Sequence, residues 1–181
     1  MIEIKECSKS FGTLLAVNDV SMDIGEREVF GLIGNNGAGK STLLRMAAGI
    51  LKQDKGNIRI DDMEVYDNPA AKEKVFYISD ECYFPANFTS RDIAAFYQVH
   101  YPKFEIQRFS KLMRQFQLDE KQKVSSFSKG MKKQLMMLLG ISAGTSYLPV
   151  LCSAKYRLCT EDLRVRRYPP VLLNCEKQEP A

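Results

Sequence analysis

Hydrophobic and polar positions alternate from the first residues, where Ile2 and Ile4 are separated by Glu3, the period-2 pattern of a half-buried strand. Residues 17–24 read as a second strand, and Gly25 supplies the turn before a third. That third run, residues 28–33, is apolar at nearly every position after Glu28, as expected of a strand covered on both faces within a parallel sheet. It leads directly into a glycine-rich segment. Beyond it Leu43, Leu44, Met46 and Ala47 mark one face of a helix that starts at Lys40 and fades near Gly49. Residues 57–60 predict a short strand ended by an Asp61-Asp62 turn, and residues 75–79 another compact apolar strand. The texture then becomes helical. Ser90 is the expected N-cap of a helix over 92–97, with His100 just past its end. Residues 104–118 show helical spacing in Phe109, Leu112 and Phe116, and a third helix begins at Ser128 and carries Leu135, Leu138 and Leu139.

From about Ser146 neither period persists. Three of the five cysteines and four of the seven prolines lie beyond it, among interleaved arginines. The earlier part is ordinary for a soluble globular domain: 45% of the 181 residues are hydrophobic and 27% are charged, enough chain for one sizeable core. A formal charge of +4 without a block of like charges gives no reason to expect a nucleic-acid partner. The odd cysteine count, with no C-x-x-C pair, makes a poor disulfide framework. No export leader and no run of about 18 apolar residues is present. A reducing cytoplasmic setting is therefore expected.

The chemistry concentrates at Gly34-Asn35-Asn36-Gly37-Ala38-Gly39-Lys40-Ser41-Thr42, which fits the Walker A pattern G-x-x-x-x-G-K-[ST]. Phosphate oxygens require several donors at close range, and glycines let backbone N–H groups supply them. The helix beginning at Lys40 aims its N-terminal dipole at the same anion. Lys40 suits the β and γ phosphates, and the Ser41 hydroxyl suits Mg²⁺. A chance match arises on the order of once in a hundred chains of this size. Here an apolar strand precedes the loop and a helix follows it, which a chance match would not supply. ATP, or a similar nucleoside triphosphate, with Mg²⁺ is the expected ligand.

Over residues 1–144 the sequence resembles the ATP-binding cassette (ABC) ATPases. The segments Ser8-Lys9-Ser10-Phe11-Gly12, Gly25-Glu26, the phosphate loop, Ala48-Gly49 and Lys55-Gly56-Asn57-Ile58 fall in that family's order. About ninety residues after the loop, Phe127-Ser128-Lys129-Gly130-Met131-Lys132-Lys133-Gln134 resembles the family signature. The resemblance implies an α/β P-loop NTPase of ABC type: a mixed sheet core, an antiparallel β subdomain and a helical subdomain over about 81–135. The domain would occupy 1–145, with 146–181 a poorly structured tail foreign to the family. It also implies roles by position. Phe11 would stack on adenine, unless it is simply a core residue. Ser128, Lys129, Gly130 and Met131 would contact ATP held by an opposing subunit, with Ser128 also able to serve as an ordinary N-cap. Asp80 stands where a glutamine is usual. It could ligate Mg²⁺ alongside Ser41, or be a turn aspartate without a role.

The resemblance then fails. The family continues with a strand ending in Asp-Glu and, about thirty residues later, a histidine; here the position reads Tyr147-Leu148-Pro149-Val150-Leu151-Cys152-Ser153-Ala154. Pro149 removes a ladder donor from what should be a central strand. The run Val171-Leu172-Leu173-Asn174-Cys175-Glu176 imitates the pattern only weakly, and the one histidine, His100, lies upstream of the signature. No catalytic residue is identifiable. A shifted reading frame from about residue 146 would produce such a tail; a natural truncation is the alternative. The central sheet is expected to be incomplete, with unpaired groups beside the phosphate-loop strand costing about 1–3 kcal/mol each, against a total stability of about 5–15 kcal/mol. A marginal or aggregation-prone protein follows.

The resemblance implies the ATP-binding subunit of a membrane transporter, an ATPase lying on the inner face of the cell membrane. Its partners would be a membrane-spanning subunit and a second cassette, identical or not. The missing Asp-Glu pair leaves a second expectation, a nucleotide-binding fragment that hydrolyses nothing. A third, a family member acting in translation or DNA repair, is disfavoured by the single cassette without a basic tract. The transported substrate and its direction are set by membrane partners outside this sequence.

Overall fold

A computed structural model describes residues 1–25, 30–79, 81–148 and, as backbone, 171–175. The chain divides into two compact units, one formed by Met1–Lys72 with Ser153–Ala181 and the other by Glu73–Cys152.

The first unit is built on strands β1 (Ile2–Phe11), β2 (Leu14–Ile24), β3 (Phe30–Gly34), β4 (Lys55–Ile60) and β5 (Met63–Glu64), with helices α1 (Lys40–Ala47) and α2 (Pro69–Lys72). Four of the strands form an antiparallel sheet in the order β2-β1-β4-β5. Alternation in β1 and β4 puts Ile2, Ile4, Cys7, Ile58 and Ile60 on the buried face, the arrangement expected when one face of an antiparallel sheet is wet. Helix α1 buries Leu43, Met46 and Ala47. It is closed by Gly49, whose φ of +66° and closeness to the Val65 carbonyl admit no side chain. Burial of the Cys7 thiol pushes its pKa up, so this cysteine is a small core residue rather than a nucleophile.

The second unit is helical: α3 (Ser90–His100), α4 (Ile106–Gln115) and α5 (Lys129–Ser142). Phe76, Ile78, Phe109, Met113, Leu135, Leu138 and Leu139 are its large, fully buried side chains. Gly140 lets α5 approach closely, since a Cβ there would meet Leu148 and Phe76 at 2.6 and 2.9 Å.

Four expectations need correcting. The cap of α3 is Thr89, not Ser90: Thr89 accepts from the Asp92 N–H while the Asp92 carboxylate accepts from the Thr89 N–H. The acid three positions on selects Thr89 over its neighbouring hydroxyl, and Ser90 is instead buried. His100 closes α3 rather than following it. Among the described residues 75–79 form no continuous strand: Val75 makes an isolated parallel bridge to Tyr147, and Ile78 holds a second single bridge position. Tyr147 donates to the Lys74 carbonyl and its own carbonyl accepts from the Phe76 N–H, both at 3.0 Å. Pairing confined to single positions makes bridges and not a ladder. Finally, β3 does not stand alone. Val171–Cys175 (β6) pairs with it in parallel, from Phe30↔Val171 to Gly34↔Cys175. The two prolines immediately before Val171 leave that run's own N–H groups intact. Among the described residues this sheet has two strands only, so it is still short of a full central sheet.

Candidate functional site

The phosphate-loop residues lie where β3 hands over to α1. Gly34 ends β3, Asn35, Asn36 and Gly37 are exposed, and residues 38–42 are half-buried. Gly37 and Gly39 take φ of +86° and +79°, a region open to glycine without strain. For Gly39 the space is closed as well: a Cβ would sit 2.1 Å from the Ala16 carbonyl oxygen. The loop thus rests against β2 with no room for a side chain.

Gly39 is also the N-cap of α1, so no side chain caps that helix, and its first turn holds no acid. Lys40 occupies the first helical position, and its Nζ donates to the Asn35 carbonyl across the loop at 2.7 Å. The Ala38 N–H closes the turn on the same carbonyl at 3.1 Å. A helix N-terminus already gathers partial positive charge, and a lysine placed there adds to it. The first-turn N–H groups, the uncapped end and the cation fit a polyphosphate. Ser41 follows in the same turn. Among the described residues no group of three His, Cys, Asp or Glu could hold a metal. Asp80 lies outside the described residues.

Phe11 ends β1 and faces Leu14 across the hairpin turn of Gly12 and Thr13. Its side chain is 49% exposed, which removes the core-residue alternative and leaves a ring face available. In the second unit Ser128 caps α5, its Oγ accepting from the Met131 N–H at 3.2 Å. Lys129 and Gly130 fill the next two positions, and Lys129, like Lys40, begins its helix without an acid in the first turn. A Cβ on Gly130 would meet only the Ser128 Oγ, at 3.9 Å.

One buried cation has no signal in the residue pattern. Lys133 is 8% exposed, and its Nζ donates to the Ser79 carbonyl at 3.0 Å. It thereby ties α5 to the end of the 75–79 run. Tyr101 holds the other end through its hydroxyl, which donates to the Val75 carbonyl at 3.3 Å. Burial pushes the Tyr101 pKa up to about 12, so the phenol remains a donor. A basic residue in a signature-like segment reads as solvated, and only the fold reveals its acceptor.

These features define the class, a P-loop domain of the ATP-binding-cassette kind. A family model described as ABC transporter matches residues 17–148, well over half of the 181-residue chain. The chain belongs to the ABC transporter ATP-binding family. It is similar to the ABC transporter ATP-binding protein YtrB of Bacillus subtilis, with 34% identity over 143 residues, covering 79% of this chain and 49% of that protein. It is also similar to the methionine import ATP-binding protein MetN of Clostridium tetani, with 52% identity over 67 residues, 37% of this chain and 21% of that protein. The chain thus spans about half the length of YtrB, or less of MetN. Among solved structures, an ATP-binding subunit of an ABC transporter superposes with a TM-score of 0.76 at 24% identity, over 82% of this chain and 65% of that one. A dimeric ATP-binding cassette in a post-hydrolysis state, bound to ADP and Pi, gives 0.76 at 15% identity, over 95% and 87%. These two likenesses bear on the fold. The family match ends at Leu148, one residue before Pro149.

Proposed function

We propose that residues 34–42 bind ATP with Mg²⁺, and that the chain serves as the nucleotide-binding part of a transporter ATPase. The observation that carries this is the start of α1. It is an acid-free helix N-terminus without a side-chain cap, opened by a lysine and preceded by Gly39, which admits no side chain. An arrangement that concentrates positive potential this way is costly without an anion. Gly34, Asn35, Asn36, Gly37, Ala38, Gly39, Lys40, Ser41 and Thr42 would surround the phosphates. Lys40 would bridge the β and γ groups, Ser41 and Asp80 would serve the metal, and Phe11 would stack on the base. Ser128, Lys129, Gly130 and Met131 would face the triphosphate held by a second cassette. The chain would work on the inner face of the membrane beside a membrane-spanning subunit. Among the described residues no helix is long and apolar enough to cross a bilayer, so that subunit would be a separate chain or segment.

Titration of the folded protein with Mg-ATP tests the reading. Lys40→Ala should weaken binding by about 10- to 150-fold, as loss of a charged hydrogen-bonding group does. A folded wild type without magnesium-dependent affinity, or a variant that binds equally well, would refute it. The absence of Asp-Glu after Leu148 favours a second reading in which the nucleotide is held and not hydrolysed. Steady-state turnover separates the two: under the second, wild type and Lys40→Ala release phosphate at the same background rate.

A further inference from the structure

Among the described residues, the last three of β1 pair with β2 alone. Pairing with β4 stops at Ser8↔Lys55, and pairing with β2 shifts register on both sides of Lys9. A single carboxylate takes over. Asp54 Oδ1 accepts from Lys9 Nζ at 2.6 Å, and Oδ2 accepts from the Ser10 N–H at 2.7 Å. The Asp54 N–H donates to the Ser8 carbonyl at 2.9 Å. The residue just before β4 therefore grips three consecutive residues of β1, and Phe11 is the next. Those two hydrogen bonds, from Lys9 first and then Ser10, hold the Asp54 carboxyl below the usual carboxylate range, so it is ionised near neutrality. The Lys9 side chain is only 15% exposed, and its ammonium sits 5.8 Å from the Phe11 ring centroid. A cation over one ring face leaves the exposed remainder for a flat partner.

We infer that Lys9 and Asp54 are positioning residues which fix the Phe11 ring for stacking on the nucleotide base. The inference rests on the reading above, in which Phe11 stacks on the base, and adds to it the residues that hold the ring. At this point β1 pairs with β2 alone, Phe11 facing Leu14, so its other edge and the Phe11 ring need holds of their own. Asp54 holds the backbone, while Lys9 holds the ring.

The test compares two probes on the full chain by calorimetry: Mg-ATP, which has a base, and Mg-tripolyphosphate, which has none. Phe11→Ala should weaken Mg-ATP by about 5- to 100-fold, the usual effect of removing a stacking ring, and leave tripolyphosphate within about twofold. Asp54→Asn and Lys9→Met should weaken Mg-ATP by about three- to tenfold, again sparing tripolyphosphate. Neither should add to Phe11→Ala in a double variant, since all three act through one ring. Lys9→Arg should restore the wild-type value. Circular dichroism confirms that each variant is folded, and Asp54→Asn keeps an acceptor for Ser10 where Asp54→Ala does not. Equal losses for both probes, or Asp54→Asn binding like wild type, would overturn the positioning role alone. A folded wild type that binds neither probe overturns it together with the phosphate-loop reading.

Discussion

Helices α1 and α5 both place a lysine at their first helical position, Lys40 and Lys129, where the macrodipole already gathers positive charge. They differ in how the preceding residue is used. Before α1 stands Gly39 in a left-handed conformation, with no capping side chain. Before α5 stands Ser128 in an extended conformation, its hydroxyl accepting from the Met131 N–H. One end is left open by a glycine its surroundings require; the other is closed by its own cap and then followed by a glycine its surroundings do not require. On the reading proposed above an anion would complete α1, whereas α5 is closed by its own cap and could still receive one.

The largest expected effect is at Gly39. Alanine there meets the Ala16 carbonyl 2.1 Å away at a φ of +79°. Backbone strain and overpacking together should cost about 3 kcal/mol or more, read as a lower urea midpoint. A loss under about 1 kcal/mol would show that the loop can lift off β2, and α1 would lose its claim to a preformed site.

Ser128→Ala should be milder. Removing a hydroxyl N-cap costs about 1 kcal/mol, and Ser128→Asn, which can still accept from the Met131 N–H, should recover most of it. Affinity of the single chain for Mg-ATP should stay within about twofold of wild type, because the cap serves α5 and not the phosphate loop. A destabilisation that asparagine does not relieve would mean the hydroxyl acts other than as a cap.

What the sequence disclosed was local. The phosphate loop is nine contiguous residues between a strand and a helix, and Ser128 announces α5 because a cap acts within three residues. Each could be read from spacing alone. The misreadings are nonlocal or depend on a neighbour's chemistry. Residues 75–79 carry a strand's composition, but a strand exists only by pairing on successive residues, and Val75 meets Tyr147 as an isolated bridge. Thr89 and Ser90 are adjacent hydroxyls, and only the reciprocal bond from Asp92 separates them. Lys133 on Ser79 and Lys9 on Asp54 join residues 54 and 45 positions apart, and no periodicity signals such a pairing. Phe11 shows both limits: the sequence places it at the end of β1, while its exposure and the Lys9 ammonium beside its ring could not be read there.

The smallest effect sharpens the comparison most. Gly130 sits in the first turn of α5, and a Cβ there would find only the Ser128 Oγ, at an ordinary contact distance of 3.9 Å. Glycine in a helix is worse than alanine by roughly 0.5–1 kcal/mol, so Gly130→Ala should leave stability unchanged or raise it by about 0.5 kcal/mol. That is opposite in sign to Gly39→Ala, although both glycines flank a helix start in a phosphate-seeking motif. A residue kept at a small cost to its own fold makes sense if the space above it is used by something outside the chain, such as the triphosphate of a second cassette. Thermal melts of the two alanine variants decide the matter. Should Gly130→Ala lose more than about 1 kcal/mol, the fold itself needs that glycine, and the contrast between the two helix ends disappears.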